Sequence, residues 1–425
     1  MTKGMNKVRV VVVGAGVVGV TTAYYLARDG VDVALVEAAD QIAPETSRTN
    51  GSLIAPGHSF AWASPAAPRL LARSLLGREA SIGVRLPPDP RLIAWGARFL
   101  RNCTADRAER NSVAKLRLAR FSQGALEELI EVERIECHYR KAGILYLYRS
   151  PEEYEAGKRR MQLMRQHGQH MVELTPSEIG DAEPALAASA TRYAGALLGV
   201  TDTTADSLTF SRALVERCRA LGVEVHLGTR ARGVALARGR VVAVRTSGDA
   251  IPCDGVVVAA GAYSARFRIP GARPVPVYPA RGYAMDVPVL DPSRAPVAGG
   301  LDERRLVAWA PAGEMVRLAA VAEFAGFDRR IGTNGHATIT RTGREVFGDA
   351  LDWARANLRV GFRPMTPDGP PIIGPSRVPG VWYNTGHGHM GWTMACGSAR
   401  LLCDLMLDRP PELDVSALLP RSGRW

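Results

Sequence analysis

The chain has 425 residues, of which 46% are hydrophobic and 23% charged, as is ordinary for a soluble globular protein. Its length exceeds one simple core, so we expect two domains, or one domain with large insertions. The net charge of +12 would suit an anionic membrane or a nucleic acid, but only five of the 54 basic residues are lysine and the arginines are scattered. The charge therefore does not indicate a nucleic-acid-binding face.

The first apolar stretch, Val10–Ala27, is uncharged and follows the basic segment Met1–Arg9. It could be taken for a membrane span or a signal peptide. Its three glycines argue against both interpretations. The six cysteines are spread out with no C-x-x-C pair, so a reducing cytoplasm is the expected compartment.

The segment "VRVVVVGAGVVGVTTAYYLARDGVDVALVEAAD" predicts a β-α-β unit. Gly14 permits the tight turn, Gly16 allows the backbone to approach a pyrophosphate, and Gly19 allows the helix Val17–Arg28 to pack on the strand. Glu37 ends the second strand, where a carboxylate accepts hydrogen bonds from a ribose and repels a 2′-phosphate. These features predict a dinucleotide site and disfavour NADP. The residues expected at the site are Val13, Gly14, Gly16, Val17, Val18, Gly19, Glu37 and Ala38.

The motif alone leaves FAD and NAD open. An NAD enzyme would continue its alternating β-α units after Glu37, whereas the next stretch here, "PETSRTNGSLIAPGH", is polar and irregular. Far downstream, "GVEVHLGTRARGVALARGRVVAVRTSGDAIPCDGVVVAAGAYS" predicts three strands, a turn and a buried strand that ends at Ala260-Gly261. This arrangement resembles the second half of a flavoprotein dinucleotide fold and favours FAD.

The remaining segments alternate in character. Helical patterns dominate residues 64–191, a further helix covers 206–221, and strands dominate 271–357. We therefore predict an α/β protein with a discontinuous, Rossmann-like FAD-binding domain and a second, α+β substrate domain with a mostly antiparallel sheet. The predicted FAD-binding segments are 1–63, 192–270 and 358–425, and the predicted substrate-domain segments are 64–191 and 271–357.

The carboxyl-terminal block contains "VGFRPMTPDGPPIIGP" and "NTGHGHMGWTMACGSARLL". With the amino-terminal glycine motif and "VVVAAGAYS", it resembles the D-amino-acid-oxidase family of FAD-dependent amine oxidoreductases. The segments "TSRTNGSLIAPGHSFAW", "VYPARGYAM" and "AEFAGF" are most similar to the small, FAD-bearing subunits of bacterial D-amino-acid dehydrogenases. The resemblance runs from about Val8 to about Leu407. One departure is "RLAAVAE", where close relatives usually carry "VGG" before "AE".

The resemblance implies a reaction. A D-amino acid would lose a hydride from Cα to flavin N5, and the imine would hydrolyse to a 2-oxo acid and ammonia. Electrons would pass to a quinone or another carrier, and such enzymes are peripheral at the bacterial inner membrane. The alternatives are an O2-using oxidase of glycine, sarcosine or a D-proline-type imino acid, and an NAD-dependent dehydrogenase.

Arg363, in "GFRP", matches the family arginine that holds the substrate carboxylate, for which a planar bidentate donor is well suited. The alternative is a structural ion pair with Asp368. His58, Tyr146 and Trp309 are weaker candidates for the substrate pocket, since loop packing is the commoner role for His58 and core packing for Tyr146 and Trp309.

The resemblance also implies cofactor contacts outside the glycine motif, at Ser47, Arg48, Asn50, Gly51, Ala231, Ala260 and Gly261. Relatives that link their flavin covalently use a cysteine shortly before "GFRP" or a histidine soon after the acidic residue. Residues 354–362 contain no cysteine and residues 38–57 no histidine, so noncovalent FAD is expected.

The stretch "TGHGHMGWTMACGSARLL" could be a metal site, a cysteine nucleophile or a glycine-rich cradle. Two histidines provide too few metal ligands, and Cys396 lies in a predicted helix without an activating pattern. We predict a backbone cradle for the flavin, followed by a helix of small residues from Thr393 that packs on the first strand and points its positive end at the flavin. No metal is expected. The predicted contacts are Gly386, His387, Gly388, Met390, Gly391, Trp392 and Thr393.

Overall fold

The structure is a computed structural model, which describes residues 8–75, 82–84 and 89–420. The helices of these ranges include α1 Val17–Arg28, α2 Ala67–Leu75, α3 Pro90–Asn102, α4 Ala105–Glu133, α5 Pro151–Gln166, α6 Pro176–Ala182, α7 Ser207–Ala220, α8 Thr333–Phe347 and α9 Gly391–Met406. The strands are β1 Arg9–Val13, β2 Asp32–Val36, β3 Leu53–Ile54, β4 Ile82–Val84, β5 Ile144–Tyr148, β6 Met171–Leu174, β7 Gly195–Gly199, β8 Thr203–Thr204, β9 Glu224–His226, β10 Gly233–Ala237, β11 Arg240–Arg245, β12 Ile251–Pro252, β13 Gly255–Val258, β14 Tyr278–Pro288, β15 Gly299–Asp302, β16 Val307–Ala312, β17 Met315–Phe324, β18 Asn357–Met365, β19 Ile372–Pro375 and β20 Val381–Thr385.

The first sheet has six strands in the order β19-β20-β13-β1-β2-β9, and all neighbours are parallel except β19 and β20. Its central strand, β1, is a run of valines that is buried on both faces, as is typical of a covered parallel sheet. Helices α1, α7 and α9 contribute to the core on one face. The small three-stranded sheet β10-β11-β12 contributes to the core on the other.

The second sheet has nine strands, in the order β18-β14-β17-β16-β15-β5-β7-β6 with β4 beside β17. Among the described strands of this sheet, only the pairs β15–β5 and β17–β4 are parallel. Helix α8 and the turns around it cover one face of this sheet with a separate core. The predicted fold class, a Rossmann-like domain beside a mostly antiparallel sheet, is confirmed.

The structure departs from the predicted segment boundaries at three places. Strand β7 lies in the segment 192–270 but pairs with β5 in the second sheet. Strand β18 lies almost wholly in the segment 358–425 but forms the edge of the second sheet beside β14. Helix α4 lies in the segment 64–191 but packs on the helices of the first sheet. In each case a partner distant in sequence decides where the element lies.

Helix α9 does not pack on the first strand as predicted; it lies mainly between α1 and α4. Its small residues explain this position, because a Cβ at Gly397 would be 2.7 Å from the Ser122 Cα of α4. The Gly397 N–H donates to Ser122 Oγ at 3.0 Å, and on the other side Thr21 Oγ1 of α1 donates to the Ala395 carbonyl at 3.4 Å.

The apolar stretch Val10–Ala27 forms β1, a turn and α1. Over residues 8–75, 82–84 and 89–420, no helix combines the length and the hydropathy that crossing a bilayer requires.

Candidate active site

A cavity of about 2350 Å³ is lined by residues of both sheets. On the first sheet it lies at the carboxyl ends of β1, β2, β13 and β20, where parallel α/β sheets bind ligands. On the second sheet it is lined from β5, β14, β16, β17 and β18. The predicted cofactor residues that line it are Val13, Gly14, Gly16, Val17, Val18, Glu37, Ala38, Ser47, Asn50, Gly51, Ala231, Ala260, Gly261, His387, Gly388, Met390, Gly391, Trp392 and Thr393.

The turn between β1 and α1 has the geometry that its glycines suggest. Gly14 has φ +103°, and a Cβ there would be 2.7 Å from the Ala259 carbonyl oxygen. A Cβ at Gly19 would overlap the Gly14 carbonyl oxygen, so Gly19 serves helix–turn packing and does not line the cavity. Helix α1 begins at Val17, whose N–H donates to Ser47 Oγ at 2.9 Å. The cavity thus borders a helix amino terminus, which favours an anion.

Glu37 follows β2 at the edge of the cavity. Its Oε2 accepts from the Ala15 N–H at 2.9 Å and its Oε1 from the Ala39 N–H at 3.0 Å. An ionised carboxylate can accept about four hydrogen bonds, so each oxygen retains capacity for a ribose hydroxyl.

The segment after β2 is held in place by hydrogen bonds of the Asn50 side chain. The Asn50 amide donates to the Ser47 carbonyl and to Ser207 Oγ, and its Oδ1 accepts from the Ser52 N–H at 2.8 Å. Arg48 lies in the same turn but does not line the cavity.

The glycine-rich stretch before α9 brings backbone to the cavity wall. Gly386 and Gly388 have φ +79° and +60°; Gly388 lines the cavity, whereas Gly386 faces the Thr366 methyl. His387 Nε2 lies 3.0 Å from Ser398 Oγ, and burial lowers the pKa of His387 to about 3, so its imidazole is neutral at pH 7. Burial raises the pKa of the Cys396 thiol far above its usual range, so it is no nucleophile.

Arg363 lies on β18 in the cavity wall, and its Nη1 donates to the Val321 carbonyl at 2.5 Å. Burial lowers its pKa to about 10, which leaves the guanidinium charged at pH 7.

His58 and Tyr146 form another part of the wall. Their rings stack with centroids 5.6 Å apart, and His58 Nε2 lies 3.2 Å from Glu303 Oε1. Burial would raise the pKa of Glu303, but its interactions with Arg160 and His58 outweigh burial and lower the pKa to about 2. Glu303 is therefore a fixed negative charge in the wall.

Trp309 is not a pocket residue, and the expectation that it lines the substrate site is wrong. It is fully buried in the core of the second sheet, against Phe347. Side chains alternate along a strand, and its neighbour Ala308 faces the cavity. The row of paired residues Ala308, Leu301 and Tyr146 faces the cavity, so Trp309 faces the opposite side.

Glu303, Asp202 and Lys115 are buried charged residues in or behind the cavity wall that no sequence motif indicates. Asp202 is buried behind Tyr146, whose hydroxyl donates to Asp202 Oδ2 at 2.6 Å. Lys115 is buried on α4 and donates to the Phe60 carbonyl at 2.8 Å. The segment "SVAKLRLA" holds two basic residues, the buried Lys115 and the exposed Arg117, so the local sequence does not distinguish them. Among the described residues, no group of three or more histidine, cysteine and acidic side chains could hold a metal ion.

Comparison with known proteins shows the family to which the chain is similar. The model of the family described as DAO, FAD dependent oxidoreductase, matches residues 9–405. The chain is 39% identical to D-amino acid dehydrogenase 2 of Mesorhizobium japonicum, covering 97% of this chain and 99% of that protein. It is 38% identical to the D-amino acid dehydrogenase of Phenylobacterium zucineum, covering 96% of each. The crystal structure of glycine oxidase from Geobacillus kaustophilus superposes with a TM-score of 0.75 at 21% identity, covering 98% and 99% of the two chains, which shows a shared fold.

Proposed function

The chain belongs to the DAO family of FAD-dependent oxidoreductases, and from that premise we propose that it is a D-amino acid dehydrogenase. It oxidises D-amino acids to 2-oxo acids and ammonia. One observation carries the proposal: a charged arginine, Arg363, lies in the wall of the same cavity that the dinucleotide-binding turn borders. Two relatives named D-amino acid dehydrogenase, which are 38–39% identical to this chain over nearly their whole length, support the substrate class.

The residues at the first sheet fit FAD. Gly14 and Gly16 permit the close approach of a pyrophosphate at the amino terminus of α1, and Glu37 has free acceptor capacity for a ribose. The first turn of α9, from Gly391 to Thr393, lines the cavity with the positive end of its helix dipole. When bound, FAD supplies the electron sink that accepts the hydride from the substrate Cα.

Within this site the protein binds and orients the amino acid. Arg363 forms a bidentate pair with the substrate carboxylate. The stacked rings of His58 and Tyr146, fixed by Glu303 and Asp202, form a rigid wall for the substrate. The dipole of α9 favours the negative charge that gathers in the cavity during oxidation.

We further propose that the FAD is noncovalent and that its electrons pass to a quinone or another carrier. The net charge of +12 is compatible with a peripheral contact at an anionic membrane in a cytoplasmic enzyme. Acid precipitation separates the two forms of cofactor: noncovalent flavin stays in the supernatant, and flavin in the washed pellet would contradict this part of the proposal.

An anaerobic titration tests the reaction. D- and L-amino acids are added to the holoenzyme, and loss of flavin absorbance near 450 nm identifies the substrates. We expect bleaching by D-amino acids and slow reoxidation when air is admitted. Bleaching by glycine or sarcosine together with fast reoxidation would instead indicate the oxidase. Bleaching by L-amino acids alone would contradict the proposed chirality.

The Arg363→Lys variant tests the carboxylate-binding residue, because it keeps the charge and loses the planar fork. Charge-assisted hydrogen bonds contribute roughly 1.5–3 kcal/mol, so we expect KM to rise about 10- to 100-fold with an unchanged flavin spectrum. Arg359→Lys is the matched control, since Arg359 lies on the same strand but pairs with Asp286 outside the cavity. Unchanged KM in Arg363→Lys would refute the assignment.

A further inference from the structure

The side chain of Arg363 crosses the neighbouring strand at a glycine. Arg363 pairs with Ala280 of β14, yet its guanidinium reaches the carbonyl of Val321 on β17, the strand beyond. It passes over Gly282. A Cβ at Gly282 would overlap Nη1 and would lie 2.7 Å from Cζ of Arg363. Only the absence of a side chain at position 282 leaves room for the guanidinium in this position.

The backbone opposite Gly282 is irregular. Between β14 and β17, Arg281 pairs with Glu323 while Tyr283 pairs with Ala320, so β17 has one extra residue in a β-bulge. Within the bulge Val321 has φ +65°, the left-handed region that a β-branched residue rarely adopts. Such a conformation is strained and is found mainly at functional sites, where the surrounding structure holds it in place. The Val321 carbonyl is the group that accepts the hydrogen bond from Arg363.

We infer that Gly282 and the backbone carbonyl of Val321 are positioning groups for Arg363, which fix its guanidinium plane for the incoming carboxylate. One N–H of Nη1 is held by Val321, so the guanidinium cannot rotate about its long side chain and its other donors keep one direction. The inference rests on the proposed role of Arg363. It adds that carboxylate binding depends on the absence of a side chain at Gly282 of β14 and on the left-handed backbone of Val321 of β17.

The Gly282→Ala variant tests the inference. The added methyl group displaces the guanidinium, and we expect KM for the D-amino acid to rise at least tenfold, with kcat changed less than threefold and FAD still bound. Inhibition by a 2-oxo acid should weaken by a similar factor, whereas inhibition by the corresponding 2-oxo amide should not. Gly255→Ala is the matched control: it adds a methyl to another strand glycine, where the nearest heavy atom is Val10 Cγ2 at an ordinary 3.4 Å.

A double-mutant cycle keeps the test decisive if Gly282→Ala folds poorly. The shift in Tm caused by Gly282→Ala is measured with Arg363 and with Arg363→Ala. We expect a loss of several degrees with arginine present and less than 1 °C with alanine, because the methyl then has room. Equal losses in the two backgrounds, or failure of both to fold, would overturn the inference, since the methyl would then clash elsewhere.

If Arg363→Lys raises KM and Gly282→Ala leaves it within twofold of wild type, the inference fails while the proposed function stands. If Arg363→Lys leaves KM unchanged, the proposed function fails first.

Discussion

Asp202 is the residue whose replacement we expect to stabilise the protein most clearly. It is fully buried, and its carboxyl accepts hydrogen bonds from the Tyr146 hydroxyl at 2.6 Å, the Gly57 N–H at 3.0 Å and Gln169 Nε2 at 2.9 Å. Burial outweighs these three hydrogen bonds and raises the pKa of Asp202 to about 7. Asparagine has the same shape and no charge, so Asp202→Asn isolates the cost of burying that charge.

The magnitude and sign follow from proton linkage. The unfolded chain releases the proton near pH 3.8 and the folded protein near pH 7, so the wild type loses stability as pH rises between these values. At 1.36 kcal/mol per pKa unit, the loss is about 4 kcal/mol, and it is constant above pH 7. Asparagine does not titrate. Its amide oxygen can accept from Gly57 and Gln169 while its amide nitrogen donates to the Tyr146 hydroxyl, so little is lost at pH 4.

The assay is urea unfolding of wild type and Asp202→Asn at pH 4, 6 and 8 with excess FAD, followed by tryptophan fluorescence. We expect similar midpoints at pH 4 and a higher midpoint for the variant at pH 8, with most of the divergence between pH 4 and 7. Asp249→Asn, at an exposed position, is the control for a lost negative charge. Two curves that stay parallel from pH 4 to 8 would refute the reasoning, because Asp202 would then be ionised in the folded protein throughout.

Three further substitutions test other parts of the structure. Burial lowers the pKa of Lys115 to about 7, so the charge of Lys115 destabilises the folded protein increasingly as pH falls from 10.5 to 7 and by a constant amount below pH 7. Lys115→Met should therefore raise the Tm at pH 6 and lose that advantage by pH 10. A gain in Tm that is independent of pH would contradict this. Gly19→Ala, whose methyl overlaps the Gly14 carbonyl, should weaken FAD binding at least tenfold by flavin fluorescence, whereas Gly96→Ala, with open space around it, should not. Trp309→Phe should lower the free energy of unfolding in urea by about 1–3 kcal/mol and leave KM within twofold of the wild-type value. A tenfold rise in KM without loss of stability would indicate that Trp309 lines the substrate pocket after all.

The parts of the fold that local rules decide were predictable from the sequence. Helix α1 spans Val17–Arg28 as its glycine motif and apolar pattern predict, because the turn at Gly14 and the helix start involve neighbours in the chain. The fold class, which is confirmed, was predictable for the same reason, because helices and strands each have a characteristic hydrophobic periodicity in the sequence. Sheet membership is different. The residues of strands β7 and β18 do not indicate which sheet they join, and only their distant partners β5 and β14 place them in the second sheet.

The sequence also does not show which face of the sheet a strand side chain occupies. Tyr146 and Trp309 are both large aromatic residues on strands of the second sheet, and nothing in the residues around them distinguishes cavity from core. Because side chains alternate, a shift of one residue in register exchanges the two faces. The pairing of Leu301 with both Tyr146 and Ala308 decides it, and that pairing joins the β15–β16 hairpin to β5, which lies far away in sequence.

Gly282 shows that a motif can indicate a site residue without indicating the neighbours that orient its side chain. The motif "GFRP" identifies Arg363, but a long flexible arginine on an edge strand could point in many directions. Its direction comes from Gly282 on β14 and from the bulge at Val321 on β17, neither of which carries a polar side chain. A bulge requires one strand to hold one residue more than its partner, which cannot be read from either strand alone. Neither position carries a residue type that is associated with catalysis, although in the proposed site the geometry of carboxylate binding depends on both.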